Sequence, residues 1–391
     1  MSCSSRTSSK KQTQKGPLAV SDAKAREWIE AIHQLDLPSR VRVMNVCGGH
    51  ERTLSMAGIR SVLPKNVEII PGPGCPVCVC PEEDLYLAIQ IALHRDATVM
   101  TFGDMLRVPT NVPKREVRTL EQARAAGARV VPIASPSEVW DAAVANPSER
   151  FVFFAAGFET TMAPVAARIA EGLPENVDLL ISGRRTWPAV ATLLAGDRAA
   201  FDGLIAPGHV AAVMGPEEWL FVPETHGIPS AVSGFRPDQL LSALYSVLRQ
   251  LVEKTPVLEN CYAHAVPAGG NAQARRLLDT VFEIVDAPWR GIGTLPESGY
   301  GLRPAYAARD ARVLHADLAD ESRKRMGEMP AGCGCADVVL GRIYPTECAL
   351  YGTTCVPRSP VGPCMVSDEG ACRIWWAGGI RSPEDLRTLH A

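Results

Sequence analysis

The sequence of 391 residues has no long uninterrupted apolar run. No stretch reaches the eighteen or so apolar residues that a membrane-spanning helix requires, because proline, glycine or charge interrupts each run. Residues 1–16 are rich in serine and lysine and lack the apolar region of a secretory signal. We therefore expect a cytoplasmic protein with no membrane association, and we expect residues 1–20 to form a disordered tail.

The sequence also lacks a surplus of charge and the common nucleotide motifs. Its formal net charge is -3, with 21% charged and 46% hydrophobic residues. This balance is typical of a globular protein and does not indicate nucleic-acid binding. Neither GxGxxG nor GxxxxGK followed by Ser or Thr occurs, so no motif predicts a nucleotide cofactor.

Short apolar segments alternate with amphipathic helical segments over the first 235 residues. This alternation predicts βα units and parallel sheets covered on both faces, with functional residues in the loops that follow the strands. A long helix is predicted from Arg236 to Lys254, and a stretch of weaker periodicity follows it. The segments that read as strands are VRVMNV (41–46), VEII (67–70), ATVMTF (97–102), RVVPIA (129–134), FVFFAAG (151–157), VDLLISG (177–183), GLIAPG (203–208) and PSAVSG (229–234).

Two clusters contain most of the twelve cysteines, and this distribution favours metal or redox chemistry over a disulfide framework. The first cluster includes Cys75-Pro76-Val77-Cys78, which stands in a Pro/Gly loop before a predicted helix. Two thiols at this spacing can close a disulfide or share a metal, and a helix N-terminus favours the thiolate. The alternative is a buried structural pair.

The turn Cys47-Gly48-Gly49-His50 follows the first predicted strand and offers a thiol and an imidazole. Such a turn can hold iron or transfer protons, because its glycines permit close approach of other groups. It can also be a hydrolase nucleophile pair, although no nucleophile elbow accompanies it, or a structural cysteine. One iron can lie between Cys47 and the Cys75/Cys78 loop if their strands are neighbours.

The second cluster contains six thiols within forty residues near the C-terminus. No CxxC pair occurs among them, so their spacing favours a four-thiolate iron–sulfur cluster, with zinc and disulfides as the alternatives. The six are Cys333, Cys335, Cys348, Cys355, Cys364 and Cys372.

These features predict an α/β fold with two doubly wound domains built on parallel sheets, plus a cysteine-rich iron–sulfur C-terminal domain. The predicted limits are 21–127 for the domain with the iron and redox cysteines, 128–235 for the second α/β domain, and 236–391 for the C-terminal domain. Polar residues also occur in glycine-rich loops, notably Glu159 and His209. Taken alone, Glu159 can simply begin a helix, and His209 can be an ordinary loop histidine.

Several strings, in this order along the chain, resemble the HypD family of hydrogenase maturation factors. The resemblance covers residues from about 41 to 372 and implies a scaffold with redox activity rather than a stand-alone enzyme. On that scaffold the Fe(CN)2CO group of nickel–iron hydrogenase is assembled, together with a small HypC-type chaperone and a HypE-type cyanide donor. The strings are CGGH from Cys47, GPGCPVCV from Gly72, FGDMLRVP from Phe102, GFETT from Gly157, APGHV from Ala206 and GPCMVSDEGAC from Gly362.

The resemblance also implies roles for single residues. Cys47, Cys75 and Cys78 are the implied iron-binding and redox residues, with a disulfide available to the last two. His50, Glu159 and His209 lie in the matched strings and complete the predicted catalytic set. The implied [4Fe-4S] ligands, separated by 12, 6 and 16 residues, are Cys335, Cys348, Cys355 and Cys372, which leaves Cys333 and Cys364 outside the cluster.

The chain departs from the family pattern at positions near the predicted iron. The family usually continues CGGH with Thr-His, whereas this chain has Glu51-Arg52, and Pro71 replaces a usual histidine. The segment 110–118 is longer and more basic than usual, and Cys80 is an additional thiol. Two other hypotheses therefore remain: an iron–sulfur oxidoreductase that reduces a substrate disulfide, and an interaction protein stabilised by zinc.

Overall fold

The computed structural model describes residues 23–196, 201–320 and 329–389, so the tail predicted over residues 1–20 lies outside the described residues. Two parallel sheets and one antiparallel hairpin make up its β-structure. The strands are β1 (Val41–Asn45), β2 (Val67–Pro71), β3 (Ala97–Phe102), β4 (Val130–Ile133), β5 (Arg150–Gly157), β6 (Val177–Gly183), β7 (Gly203–Pro207), β8 (Ser230–Ser233), β9 (Leu258–Asn260), β10 (Phe282–Trp289) and β11 (Gly293–Leu302).

Helices connect the strands and cover the sheets, and short 3-10 turns separate several of them. The helices are α1 (Ala23–His33), α2 (Gly48–Met56), α3 (Pro76–Val79), α4 (Glu82–His94), α5 (Leu120–Ala125), α6 (Ser137–Ala145), α7 (Glu159–Glu171), α8 (Trp187–Leu194), α9 (Gly208–Met214), α10 (Phe221–His226), α11 (Pro237–Glu253), α12 (Ala272–Val281), α13 (Ala311–Leu314), α14 (Cys335–Val339), α15 (Ala371–Ala377) and α16 (Pro383–Leu389). The 3-10 turns are Ile59–Val62, Gly103–Arg107, Pro216–Trp219, Ala307–Arg309, Ala316–Leu318, Pro345–Glu347 and Pro363–Met365. Among the described residues, no helix combines the length and the apolar composition needed to cross a bilayer.

Sheet A contains five parallel strands in the order β2-β1-β7-β8-β9. Successive residues of a strand point to opposite faces, and both faces of sheet A are buried. Val43 packs in the cluster that contains α1 and α11, whereas Met44 packs in the cluster that contains Trp219 and Val222. The sheet is therefore doubly wound, as the apolar strands predict.

Sheet B contains four parallel strands in the order β4-β3-β5-β6, and its two faces are also buried. Phe154 of β5 packs with α4 and the cysteine-rich C-terminal segment, whereas Phe153 packs with α6, α7 and α12. The predicted α/β fold class, with doubly wound parallel sheets and a C-terminal group of cysteines, is confirmed.

Each sheet contains strands from both sides of the domain limit predicted at residue 127. Strand β1 pairs with β7 as well as with β2, and the whole of sheet B is inserted between β2 and β7 along the chain. Helix α11 and strand β9, which belong to the range 236–391, also join sheet A. The alternation of strands and helices cannot reveal which sheet a strand joins, because every βα unit has the same pattern.

The stretch of weaker periodicity contains the antiparallel hairpin of β10 and β11. The cysteine-rich segment follows it and packs against α2 and α3. Trp375 of α15 donates a hydrogen bond to Glu51 of α2 at 2.6 Å, and Arg60 pairs with the same carboxylate at 2.8 Å. These buried contacts hold the C-terminal segment against the carboxyl edge of sheet A.

Candidate metal and redox centre

Cys47 lies between β1 and α2, at the carboxyl edge of sheet A. Its backbone is extended and it precedes the first turn of α2. Burial raises the pKa of its thiol to about 12, although backbone hydrogen bonds from His50 and Gly49 oppose that shift. The thiol is therefore protonated at neutral pH until a metal or another positive charge displaces the proton.

Cys75 and Cys78 form a disulfide across α3, with their Cα atoms 5.3 Å apart. Both residues are buried, and the Cys75 sulfur accepts a hydrogen bond from the Cys78 backbone N–H at 3.2 Å. Strand β2, which leads into this loop, pairs directly with β1, and Asn45 lies opposite Pro71. An iron site shared by Cys47 and the loop of Cys75 and Cys78 requires that their strands be neighbours, and β1 and β2 meet this condition.

A small cavity of about 10 Å³, room for about one water molecule, brings Cys47, Cys75 and Cys78 together. Asn45 and Glu51 line it from sheet A and α2, and Pro71 and Gly72 from the end of β2. The C-terminal segment closes the cavity with Val339, Cys364, Glu369 and Ala371. The two cysteine clusters of the sequence therefore meet at one place.

Gly74 allows the loop of the disulfide to approach Cys47. A Cβ atom at Gly74 would lie 2.5 Å from the Cys47 backbone nitrogen and 2.6 Å from its Cα. The Gly48 N–H also donates to the Gly74 carbonyl at 3.3 Å. Only glycine fits here, and this requirement explains the Gly-Pro-Gly before the first cysteine of the loop.

We expect Gly74→Ala to separate the disulfide loop from Cys47. The clash is with rigid backbone, so the free energy of unfolding should fall by about 1–3 kcal/mol. Chemical denaturation measures the loss. Gly103→Ala is the matched control, because a Cβ at Gly103 would meet nothing within 4 Å, and its effect should stay within about 0.5 kcal/mol. Equal stability of the two variants would contradict the close approach.

A wider cleft of about 160 Å³ reaches Cys47 from the side of sheet B. Sheet B contributes Phe158, Thr160 and Thr186 to this cleft, and Glu369 lines both the cleft and the small cavity. The loops that follow β7 and β8 contribute Pro207, His209, Val210 and Phe235. Cys47 is thus the residue at which the small cavity opens toward a space large enough for a small group.

His50 is fully buried and lines neither cavity among the described residues. Its Nε2 donates to the Ser233 carbonyl at 3.1 Å, and its Nδ1 lies 3.2 Å from Asn45 Oδ1. Burial lowers the pKa of His50 to about 3, which favours the neutral imidazole. In this conformation His50 connects the ends of β1 and β8, so its geometry fits a residue that positions Cys47 rather than a ligand.

His209 is exposed at the mouth of the wider cleft. Its ring stacks on Phe235 with centroids 3.8 Å apart, and this partial desolvation lowers the pKa of His209. Phe235 also contacts the ring of His50 at 4.8 Å. His209 is therefore the predicted histidine that a molecule in the cleft can contact.

Glu159 begins α7 and is fully buried behind the cleft wall. Its carboxylate accepts hydrogen bonds from the Thr186 backbone N–H at 2.6 Å and from the Thr186 hydroxyl at 2.7 Å. Burial, together with the charge of Glu218, raises the pKa of Glu159 to about 7. Glu159 touches the cleft only through Thr186, so both the helix-start interpretation and a positioning role agree with its geometry.

We expect Glu159 to make stability depend on pH. A carboxyl group whose folded-state pKa is raised contributes stability that is fully present below its unfolded pKa of about 4.3 and is lost as pH rises toward 7. Between about pH 4.5 and 7, the unfolding free energy of the wild type should therefore fall by up to roughly 3 kcal/mol more than that of Glu159→Gln. Denaturation at several pH values measures this, and Glu149→Gln, at the exposed start of β5, is the control.

Three of the C-terminal thiols converge. The sulfur atoms of Cys335, Cys364 and Cys372 lie within 4.8 Å of one another, and all three residues are buried. The Cys364 sulfur accepts the Cys372 backbone N–H at 3.2 Å. Hydrogen bonds from the thiols of Cys335 and Cys372 hold the pKa of Cys364 well below its usual range. This group could hold a metal, and a buried thiolate set suits iron or zinc.

The other three thiols surround this group. A Cβ at Gly362 would lie 2.5 Å from the sulfurs of both Cys333 and Cys335, so these two thiols reach the same point. The Cys355 sulfur accepts the Val361 N–H at 3.4 Å. Cys348 is partly exposed and accepts the Gly334 N–H at 3.3 Å. The structure thus brings Cys335 and Cys372 of the predicted ligand set together, with Cys348 and Cys355 outside the group of three.

The family resemblance left Cys364 outside the implied cluster, and the structure places its sulfur among the three converging thiols. Sequence reasoning did not identify Glu369, Thr186 and Phe235, which line the cavities. Cys364 and Glu369 stand in the string GPCMVSDEGAC, so the only available signal was their presence in that string. Spacing cannot show that Cys364 faces both the C-terminal thiols and the disulfide.

Comparison with known proteins agrees with this arrangement. The model of the HypD family, described as the hydrogenase formation hypA family, matches residues 23–379. The chain belongs to the HypD family. Similar proteins named hydrogenase maturation factor HypD include those of Azotobacter vinelandii, 39% identical over 88% of this chain and 91% of that protein, and of Escherichia coli K12, 36% identical over 86% of this chain and 88% of that protein. The HypD protein of Rhodobacter capsulatus is 36% identical over 88% of this chain and 91% of its own length.

The positions that depart from the usual HypD pattern have definite places in the structure. Glu51 and Pro71 line the small cavity, and the Glu51 carboxylate is held by Arg60 and Trp375. Cys80 is buried on the other side of α3, with its sulfur 3.4 Å from the Ser182 hydroxyl. The replacements therefore change the wall of the thiol site without removing any of its thiols.

Proposed function

We propose that this chain is a scaffold in nickel–iron hydrogenase maturation, on which an iron ion acquires two cyanide ligands and one carbon monoxide ligand. The observation that carries the proposal is the small cavity in which Cys47 meets the Cys75–Cys78 disulfide. Membership of the HypD family and the names of its relatives support the same role.

In this proposal the iron is the substrate, and the thiols of Cys47, Cys75 and Cys78 bind it. Two electrons and two protons convert the Cys75–Cys78 disulfide into two thiols, and iron then displaces protons from the thiols that bind it. Thiolates are soft ligands that suit low-spin iron with strong-field diatomic ligands. The enclosed cavity keeps water away from the metal, and Cys47 leaves one side open to the wider cleft.

A [4Fe-4S] cluster is the proposed resident cofactor of the C-terminal segment, with Cys335, Cys348, Cys355 and Cys372 as its proposed ligands. Buried thiols at the centre of the segment fit such a group. When bound there, the cluster supplies electrons one at a time. Cys364 lines the cavity of the disulfide and also belongs to the converging thiols, so the two redox groups are neighbours.

Tetrahedral thiolates that share one zinc ion at 2.3 Å lie about 3.8 Å apart. The separation within 4.8 Å therefore also suits a single ion, and it supports the alternative of structural zinc. The two proposals differ in composition. Metal analysis of protein purified without oxygen should give several irons and acid-labile sulfide per chain for the cluster, and about one zinc without visible absorbance for the alternative.

The proposed partners are a small HypC-type chaperone and a HypE-type cyanide donor, and both would approach through the wider cleft. Cys47 is partly exposed there, and His209 and Phe235 stand at its mouth. We place the protein in the cytoplasm, because free thiols in this number need a reducing compartment.

A second candidate function is an iron–sulfur dithiol/disulfide oxidoreductase that carries no diatomic ligands. The closed Cys75–Cys78 disulfide beside the converging C-terminal thiols supports it. That function predicts turnover of a disulfide substrate without the maturation partners.

An infrared spectrum decides between the two functions. The chain is purified without oxygen from cells that also express the two candidate partners, and the spectrum is searched for cyanide and carbon monoxide stretching bands. Bands of both kinds are expected for the scaffold. An intact iron–sulfur chromophore without any such band would transfer the assignment to the oxidoreductase.

A further inference from the structure

Arg290 is a buried cation between the disulfide and the C-terminal thiols. It follows β10 and is 1% exposed. Its backbone N–H donates to the carbonyl of Val79, which lies in α3 between Cys78 and Cys80, at 3.0 Å. The next residue, Gly291, packs against Ala336 of α14, since a Cβ there would lie 2.9 Å from the Ala336 side chain.

Only part of the Arg290 guanidinium is satisfied by hydrogen bonds. Its Nη2 donates to Glu82 at 3.2 Å and to the Pro109 carbonyl at 2.8 Å. Its Nε and Nη1 are buried, yet they donate to no acceptor among the described residues. Leaving two donors of a charged group unpaired is costly in a protein interior, so these N–H groups point to an acceptor that is supplied by something else.

The residues on both sides of Arg290 pack against the segment that holds the C-terminal thiols. Gly291 contacts Ala336, which directly follows Cys335. Trp289 belongs to the same buried cluster as Cys335, Cys364 and Cys372. A buried charge at Arg290 is therefore a close neighbour of the C-terminal thiols.

We propose that Arg290 is the charge-compensating residue of the C-terminal cysteine group, and that it sets the reduction potential of the cluster held there. This inference rests on the proposed [4Fe-4S] cofactor. Four thiolates and their cluster place negative charge in a buried site, and each reduction adds one more. A fixed cation nearby stabilises the reduced form, because it offsets the negative charge that reduction adds.

Glu82 has the opposite effect in the same arrangement. Its carboxylate pairs with Arg290, and both side chains are fully buried. Removal of the carboxylate charge leaves the guanidinium uncompensated and should raise the potential, whereas removal of the guanidinium should lower it. An ion pair that only stabilised the fold would show no such opposite shifts.

The test is a redox titration of the full-length protein, purified without oxygen, with the reduced cluster followed by electron paramagnetic resonance. Arg290→Gln should shift the reduction equilibrium about tenfold toward the oxidised form, which is about 59 mV lower for one electron. Glu82→Gln should raise the midpoint, and Arg290→Lys should fall between Arg290→Gln and the wild type. Arg150→Gln is the control. Arg150 begins β5 and pairs with buried Asp178 near the start of β6, so its replacement should leave the potential unchanged.

The outcomes separate this inference from the proposed function. A wild-type chain without a cluster overturns the proposed cofactor and the inference with it. If the cluster is intact and its potential in both Arg290→Gln and Glu82→Gln equals that of the wild type, the inference alone is overturned. If Arg290→Gln fails to fold, Glu82→Gln decides the question. Glutamine at this position keeps an acceptor for the Asn111 N–H that Glu82 binds at 2.8 Å. A raised midpoint potential in Glu82→Gln supports the inference, and an unchanged one overturns it.

Discussion

Cys47→Ala is expected to abolish maturation while the C-terminal chromophore persists. Cys47 alone among the cysteines of the described chain lines both the small cavity and the wider cleft. In the proposed scaffold its sulfur is therefore the ligand that faces incoming groups. Without it, the iron loses one of three thiolates and the cyanide and carbon monoxide bands should disappear. Hydrogenase activity in cells that carry only the variant should fall to the background of a deletion strain.

The cluster should survive this substitution, because Cys47 is not one of the converging C-terminal thiols. Its visible spectrum and acid-labile sulfide therefore serve as the test of folding. Cys261→Ala is the matched control: Cys261 is also a partly buried thiol of sheet A, directly after β9, and it lines neither cavity in the described part of the chain. Full maturation by Cys47→Ala would refute the proposed iron site.

Cys372→Ala should bleach the protein and destabilise its C-terminal segment. Cys372 is one of the three converging thiols and lies in the first turn of α15, the helix whose Trp375 binds Glu51. Loss of a metal site is among the few changes that cost a protein roughly 4 kcal/mol or more. We expect visible absorbance and iron content to fall together, with a lower melting temperature. An unchanged spectrum and iron content would remove Cys372 from the ligand set.

Further single variants define the remaining ligands. Cys348→Ala and Cys355→Ala should bleach the protein if the proposed set is complete. Cys364→Ala tests the alternative that geometry suggests, since Cys364 lies within 4.8 Å of both Cys335 and Cys372. Cys333→Ala tests whether Cys333 or Cys335 is used, because both sulfurs lie against Gly362. A chromophore that survives in Cys364→Ala supports the set predicted from the sequence.

The strands and helices of the two sheets could be predicted from the sequence because their periodicity is local. The segment VDLLISG is β6, and the predicted long helix from 236 to 254 is α11 with its buried residues Leu240, Leu244 and Val247. The sequence also predicted that Cys47 and the Cys75–Cys78 loop each follow a strand. The pairing of β1 with β2 places both at the same edge of sheet A.

What the sequence could not provide depends on contacts between distant segments. The pairing of β1 with β7 and the position of Cys364 beside the disulfide have no local pattern. The same is true of His50. As part of CGGH it was predicted to be catalytic, whereas its bond to the Ser233 carbonyl fits a positioning role. Burial and partners distinguish these roles, and a motif contains neither.

The insertion of sheet B into sheet A has a consequence for the order of synthesis. The ribosome produces Cys47, Cys75 and Cys78 early, but β7, the strand that pairs with β1, emerges only after the whole of sheet B. The residues that close the cavity, Cys364 and Glu369, come last of all. A nascent chain therefore has the early thiols without their enclosure. Under the proposed function, iron at these thiols can be kept from water only after the C-terminal segment has been synthesised.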